Sequence, residues 1–348
     1  MHPGHKGQQM GVTLKDIARR VGRSVTTVSR ALNGYNDVSP ETRHRILQVA
    51  AEMGYTPHAW AQRLQKQRTD TLGLVLPTFG PRFADPFFSE FLAGVGNMAA
   101  ERGYDLLVST RAPGEEEETA YRRFALGHRV DGFLLVRLRC QDPRVAWLQT
   151  WEVPFVAFGR TEEPSDFPYV DVDGEQGVYR LARHLITEGY RRIAFIAPPR
   201  EFTFSRSRER GVRRALAEAG LPLREDYFRE GALTEESGYR EAQALLALPE
   251  PPIAIMAGND LMAIGAMRAV RERGLQIGPD IAITGFDDIP LAQHTIPPLT
   301  TVHQPIYQIG KRVTQMLIDL LQGNPLVERQ VLLEPSVKVR ASSLRRAP

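Results

Sequence analysis

The sequence predicts an α/β protein: a small all-α headpiece followed by a larger domain of two lobes, each a parallel sheet covered by helices. Three observations predict it. Residues 12–33, VTLKDIARRVGRSVTTVSRALN, set two short amphipathic helices around a glycine turn, the spacing of a helix-turn-helix. From Thr71 onward, apolar strand-like runs alternate with amphipathic stretches of about 12 to 18 residues, the pattern of a parallel sheet with helical crossovers. A chain of 348 residues with 42% hydrophobic content is long enough for two or three domains with substantial cores.

The first helix starts at Thr13, which caps it with Asp16 in a capping-box arrangement. Ile17, Ala18 and Val21 give it one apolar face. Gly22 supplies the left-handed backbone that ends it, and Ser24 caps the next helix. Val28 and Leu32 turn inward, which leaves Val25, Thr26, Ser29 and Arg30 at or near the outward face. Val25 and Thr26 lie in the first turn, where a recognition helix meets base edges in a major groove. With Thr13, Ser24, Thr27 and Asn33 beside them, these are the candidate DNA-contacting residues. Ser39 and Pro40 open a third helix, and Ile46, Val49, Ala50 and Met53 close a small core before Gly54. The headpiece spans 12–56. The bipartite pattern alone also fits a helical hairpin that touches no DNA. In the next segment, 57–70, Pro57 starts a helix lined by Arg63, Lys66 and Arg68; its alternative is a charged linker.

Charge supports a nucleic-acid partner. Residues 1–70 hold 11 Lys and Arg against 5 Asp and Glu, whereas the rest of the chain holds 33 against 36. The basic excess therefore sits on the headpiece, where phosphate neutralisation and counterion release need it. Cys140 is the only cysteine, which excludes an intramolecular disulfide and a multi-cysteine zinc site and fits a reducing cytoplasm. The opening MHPGHKGQQM has no apolar h-region and reads as a disordered start, residues 1–11. No apolar run approaches the ~18 residues of a membrane span.

In the large domain the strands are LGLVLP at Leu72, YDLLVS at Tyr104, VDGFLLV at Val130, VPFVAFG at Val153, YVDVD at Tyr169, RIAFIA at Arg192, PIAIMAG at Pro252 and IAITGFDD at Ile281. Open α/β sheets bind ligands at the carboxyl ends of their strands. Asp287 sits at one such end, Asn259 and Asp260 at another, and Asp85, Phe87 and Phe88 follow the first strand. An acid that accepts paired hydroxyls beside an aromatic ring suits a carbohydrate. Asp260 and Asp288 are equally read as helix caps. Phe87 and Phe88 cannot both face the cleft, and Phe88 is assigned to the core. Arg137, Arg139 and Arg160 lie near strand ends, either to meet an anionic ligand or as solvated rim charges.

Several motifs do not carry function. GVGNMA at Gly94 lies inside a helical run, not in a strand-to-helix turn, so it is not a dinucleotide fingerprint. Glu115 to Glu118 open a helix, where its dipole favours acids. Asp171 and Asp173 alternate along a strand and are expected on opposite faces. No H-E-x-x-H, P-loop or G-x-S-x-G occurs, so no catalytic residue, metal or cofactor is expected. The rival readings are a solute-binding protein, which would need a secretion signal, and a sugar-acting enzyme using Asp287 or Asp171.

TVSRALNG at Thr27 and VSPETRHRILQVAAEMGYTPHAWAQRLQ at Val38 resemble the headpiece of the LacI (lactose repressor) family of transcriptional regulators. The resemblance continues through DPFFSEFLAGV at Asp85, RVDGFLL at Arg129, PFVAFGR at Pro154, the run YVDVDGEQGVYRLARHLITEGYRRIAFIAPP at Tyr169, RSRERGVRRALAEAG at Arg206, AGNDLMAIGAMRAVRERG at Ala257, GFDD at Gly285 and PPLTTVHQPIYQIGKR at Pro297. It implies a periplasmic-binding-protein-like domain over 71–341 whose chain crosses three times between lobes, about 71–171 with 304–328 and 172–303 with 329–341, then a tail at 342–348. It also implies a hinge helix that folds on operator DNA, with Leu64 as the minor-groove wedge and Ala61 allowing close packing. Arg208, three before Gly211, matches the arginine that binds effector hydroxyls or carboxylates. Phe204 stands where some sugar-responsive relatives have serine, so stacking replaces a polar contact. DPRVAWLQ at Asp142 and PFVAFGRTEEP resemble regulators that respond to α-glucosides. Together these imply a repressor, a homodimer joined through its large domains, on double-stranded operator DNA. A sugar or oligosaccharide between the lobes, at Asp85, Phe87, Arg137, Arg160, Phe204, Arg208, Asn259 and Asp287, would control it. No leucine heptad follows Val339, so no tetramerising coil is expected.

Overall fold

A computed structural model describes residues 12–32, 35–55, 68–77, 85–112, 114–163, 166–221 and 224–345. The chain divides into two compact units between Thr69 and Asp70.

In the first unit, α1 (Leu14–Val21), α2 (Val25–Leu32) and α3 (Pro40–Glu52) surround a core of Ile17, Ala18, Val21, Val28, Ala31, Val38, Ile46 and Ala50. Thr13 and Asp16 form both halves of the capping box, and Gly22 ends α1 at φ 64°, a left-handed backbone that favours glycine. Ser24 Oγ accepts the Thr27 amide at 3.1 Å. Ser39 Oγ accepts the Thr42 amide at 3.4 Å, with Pro40 at the first helical position. Residues 1–11, Asn33, Ala61, Leu64 and most of the expected hinge lie outside the described residues.

The second unit contains two six-stranded sheets. The first has the order β11-β5-β4-β3-β1-β2, built from β1 (Thr71–Pro77), β2 (Asp105–Arg111), β3 (Gly132–Leu135), β4 (Phe155–Phe158), β5 (Tyr169–Val172) and β11 (Gln330–Leu333), all parallel. Helices α4 (Pro86–Glu101), α5 (Glu115–Ala125), α6 (Pro143–Thr150) and α11 (Ile306–Leu321) go with it. The second sheet runs β12-β10-β9-β8-β6-β7, from β6 (Ile193–Ala197), β7 (Phe228–Glu230), β8 (Ala254–Ala257), β9 (Ala282–Asp287), β10 (Thr300–His303) and β12 (Ser336–Lys338), with only β12 antiparallel. Helices α7 (Gly174–Thr187), α8 (Thr203–Glu218), α9 (Glu235–Leu246) and α10 (Asp260–Glu272) go with this sheet.

Ignoring the late strands β11 and β12, both sheets have the order second, first, third, fourth, fifth. The order therefore reverses beside β1 in one and β6 in the other. That switch point, at the carboxyl ends, is where open α/β sheets leave a crevice.

Four strands escape a reading based on apolar runs. β7, β11 and β12 are short edges, and β10 is T-T-V-H. Thr300 and Thr301 are nonetheless buried, because their hydroxyls are satisfied: Thr300 Oγ1 donates to the Arg340 carbonyl at 2.8 Å and Thr301 Oγ1 to Asp260 at 2.6 Å. The lobe boundary also shifts. Residues 330–333 pair with β5 in the first sheet, not the second lobe, and the third crossing lies at 334–335. Ser342 and Ser343, expected in a tail, are buried. Ser342 Oγ donates to the Ile283 carbonyl at 2.7 Å and accepts the Thr300 amide at 2.8 Å, which pins the segment to the second sheet.

One close approach positions the cleft. A Cβ on Gly211 would fall 2.2 Å from the Glu175 carbonyl oxygen, so α8 lies against α7 backbone to backbone. Gly211→Val is expected to destabilise the large domain by about 1–3 kcal/mol, because neither backbone can yield as a flexible side chain would. Thermal denaturation checks this, and an unchanged melting temperature would contradict the packing.

Candidate functional site

In the headpiece, α2 buries one side and exposes the other. Val25 and Thr26 are exposed in its first turn, while Val28 and Ala31 on the opposite side are buried. The Ser24 and Thr27 hydroxyls lie 2.8 Å apart, and Thr13 Oγ1 donates to Asp16 at 2.6 Å, so these three polar groups are tied into caps. Arg30 is exposed, ion-paired with Asp37 at 2.6 Å and set over the Tyr35 ring with 4.9 Å to its centroid. Tyr35 and Asp37 were missed by the sequence reading, since their signal is only proximity to the turn after α2.

The large domain holds a cavity of about 1030 Å³. Its lining comes from strand carboxyl ends: Asp85 beyond β1, Arg137 after β3, Arg160 after β4, Asp171 in β5, Phe204 after β6, Asn259 after β8, Asp287 at the end of β9 and Gln304 after β10. The lobes also touch directly, since the Cys140 amide donates to the Glu201 carbonyl at 2.8 Å and the Thr203 amide to the Leu138 carbonyl at 3.1 Å. Three lining residues, Arg137, Leu233 and Asp287, have positive φ of 51°, 61° and 113°. For side chains with a Cβ such backbone is strained, and it persists where the surrounding packing over-determines it.

Charge is paired throughout this site. Arg137 Nη2 donates to Asp85 Oδ2 at 2.6 Å, and Arg160 Nε lies 3.0 Å from Asp171 Oδ2. Arg208 donates to the Gly258 carbonyl, and its Nη2 lies 3.8 Å from Asp287 Oδ1, which also accepts Gln304 Nε2. The Arg208 guanidinium stacks between rings, 3.5 Å from the Phe286 centroid and 4.8 Å from that of Phe204. Its Nε is buried with no hydrogen-bond partner in the protein. Burial pushes the Asp287 carboxyl up to about 7 despite Arg208, and Asp171 up to about 6 despite Arg160. Burial also lowers Arg208 to about 10, against the pull of Asp287, Asp171 and Asp260. The site thus offers fixed donors and acceptors and flat apolar rings. Among the described residues no cluster of three or more His, Cys, Asp or Glu could hold a metal.

All eight expected effector residues line this one cavity. Phe87 faces it, stacked on Phe158 at 5.8 Å, while Phe88 is wholly buried. Asn259, not Asp260, caps α10: its Oδ1 accepts the Met262 amide at 3.0 Å and its Nδ2 donates to the Leu233 carbonyl at 3.2 Å. Asp260 instead accepts Thr301 and, at 2.9 Å, the Ile289 amide. Asp288 caps nothing; it binds His303 at 2.9 Å and Arg340 at 2.7 Å. Arg139 is no rim charge, because it pairs with buried Glu117 at 2.8 Å. Asp171 and Asp173 are not on opposite faces: residues two apart along an extended chain point the same way, and both line the cavity, with Asp173 also capping α7. The sequence reading missed Phe158, Phe286 and Gln304. Gln304 would have been found had T-T-V-H been read as a strand.

Residues 13–58 match the family profile described as bacterial regulatory proteins, lacI family, and residues 182–343 match the periplasmic binding protein-like domain. The HTH-type transcriptional regulator AglR of Rhizobium meliloti (strain 1021) is 40% identical over 96% of this chain and 95% of its own length. A solved complex of the transcriptional regulator CelR with cellobiose is 34% identical, with a TM-score of 0.74 over 95% of this chain and 99% of that one. The lac repressor dimer bound to operator and the anti-inducer ONPF is 30% identical, with a TM-score of 0.84 over 96% and 100%.

Proposed function

The chain belongs to the lacI family of bacterial regulatory proteins, DNA-binding transcriptional regulators and not enzymes, and on that premise we propose that a carbohydrate effector between its two lobes controls operator binding. One observation carries the reading: Asp85, Arg137, Arg208, Asp287 and Gln304 converge on a cavity whose flat walls are Phe87, Phe158 and Phe204. Paired acids and bases recognise vicinal hydroxyls, and rings cover the apolar face of a pyranose. Asp85, Phe87, Arg137, Arg160, Phe204, Arg208 and Asp287 contact the effector, and Asn259 holds the wall beside them.

On the DNA side, Val25, Thr26 and Arg30 reach base edges, while Thr13, Ser24, Thr27, Ser29 and Asn33 lie around the phosphates. Ala61 and Leu64 belong to a hinge that orders on the operator. The protein acts as a homodimer on a pseudo-palindromic site, because one recognition helix reads only a half-site. Its place of action is the cytoplasm; no helix among the described residues is long and apolar enough to cross a membrane.

A thermal-shift screen tests the effector class, since a ligand selective for the native state raises apparent stability. Sugars are expected to raise the melting temperature, and a response to nucleobases alone would overturn the reading. Protonation gives a finer check. Sugar hydroxyls donate to ionised Asp287, so binding draws its pKa below about 7. Binding then releases protons near neutral pH, and affinity rises as pH rises through 7. Calorimetry in two buffers of different ionisation enthalpy measures this release, which Asp287→Asn is expected to remove; no release in the wild type would contradict a buried carboxyl that the sugar ionises.

A further inference from the structure

The cleft has two ends of different character. Side-chain exposure rises outward from 7% at Arg208 and 9% at Asp287, through 17% at Asp171 and 32% at Arg160, to 40% at Arg214. The polar constellation described above therefore occupies the closed inner end. The lining continues past the Arg160–Asp171 pair to a second set of walls.

One outer wall is a sheet edge. β11 runs parallel to β5 with Gln330 opposite Tyr169 and Leu332 opposite Asp171. Because side chains alternate along a strand, these four residues share one face, and all four line the cavity. The Tyr169 ring is braced edge-on by Phe167 at 6.1 Å, and Leu332 is 46% exposed. Gln176 on α7 and Arg214 on α8, joined at 2.8 Å, also line the cavity. Arg214 also lies 3.0 Å from Glu175, a carboxylate that Arg210 shares at 3.0 Å. The outer end thus combines an apolar shelf with amide and guanidinium hydrogen-bonding groups.

We propose that this outer end, between the β5–β11 face and the Gln176–Arg214 wall, is a second glycosyl subsite, so that the effector is an oligosaccharide of at least two units. The inference rests on the carbohydrate reading of the inner end. A cavity of about 1030 Å³ sits at the top of the roughly 300–1,000 Å³ range of small-molecule sites. Tyr169 and Leu332 would underlie the ring, with Gln330 and Gln176 on its hydroxyls.

Isothermal titration of the full chain with glucose, galactose, maltose, cellobiose, lactose, melibiose and maltotriose tests it. At least one di- or trisaccharide is expected to bind about tenfold or more tighter than either monosaccharide, as one extra stacked ring and one or two hydrogen bonds would give. Tyr169→Ala and Gln330→Ala are each expected to erase most of that gain while leaving monosaccharide affinity within twofold, and Tyr169→Phe to retain it. Equal affinity for one and two units, or equal loss for both in the variants, would overturn the subsite. Binding of none of the seven sugars would overturn the carbohydrate reading itself, a separate result.

Discussion

Arg208→Ala is expected to abolish the effector response while leaving operator affinity intact. The residue is buried, with its guanidinium set over the Phe286 and Phe204 rings, bonded to the Gly258 carbonyl and beside Asp287, and with Nε free of any protein partner. Removing it takes the donor from the ligand and the cation from the carboxyls of Asp287, Asp171 and Asp260. Truncating one partner of a buried charged pair costs about 2–5 kcal/mol in binding, roughly 30- to 5,000-fold in Kd. Arg208→Lys keeps the charge but not the planar fork between the rings, and is expected to recover only part of the loss. Calorimetry with the effector and anisotropy with operator DNA separate the two functions. Wild-type effector affinity in Arg208→Ala would remove the residue from the site.

Arg30→Ala is expected to weaken operator binding by about 1–3 kcal/mol, 5- to 150-fold, with little effect on random-sequence DNA. In the free protein Arg30 pairs with Asp37 at 2.6 Å, but both side chains are about half exposed, 44% and 52%. An exposed ion pair is worth only about 0–1 kcal/mol. A bidentate contact to a guanine edge outweighs it, so the pair aims the arginine without withholding it. Asp37→Asn is therefore expected to change operator affinity far less than Arg30→Ala. Equal losses on specific and random duplexes would assign Arg30 to phosphate instead.

Much of this architecture is legible in the sequence because its signals are local. The Thr13–Asp16 box, Gly22 and Ser39-Pro40 announce the headpiece helices through capping chemistry that acts within four residues. The buried parallel strands announce themselves as apolar runs. What stays hidden depends on distant partners. Thr300 and Thr301 look like loop residues until Arg340 and Asp260 satisfy their hydroxyls, and Ser342 looks like tail until it meets Ile283. Asp260 and Asn259 are adjacent and chemically alike, and only the fold decides which one caps α10. The cleft was partly legible because strand carboxyl ends converge wherever parallel sheets face each other. Its outer wall was not, because β11 returns to the first sheet after the chain has built the second.

The most direct test of control by the cleft is the affinity of the full chain for an operator selected from random duplexes, measured by anisotropy with and without a saturating sugar that binds the cleft. A sugar that distinguishes the DNA-competent lobe arrangement from the incompetent one is expected to change that salt-sensitive affinity about 5- to 150-fold. Identical affinity in the two conditions, with cleft occupancy verified by calorimetry, would contradict the account.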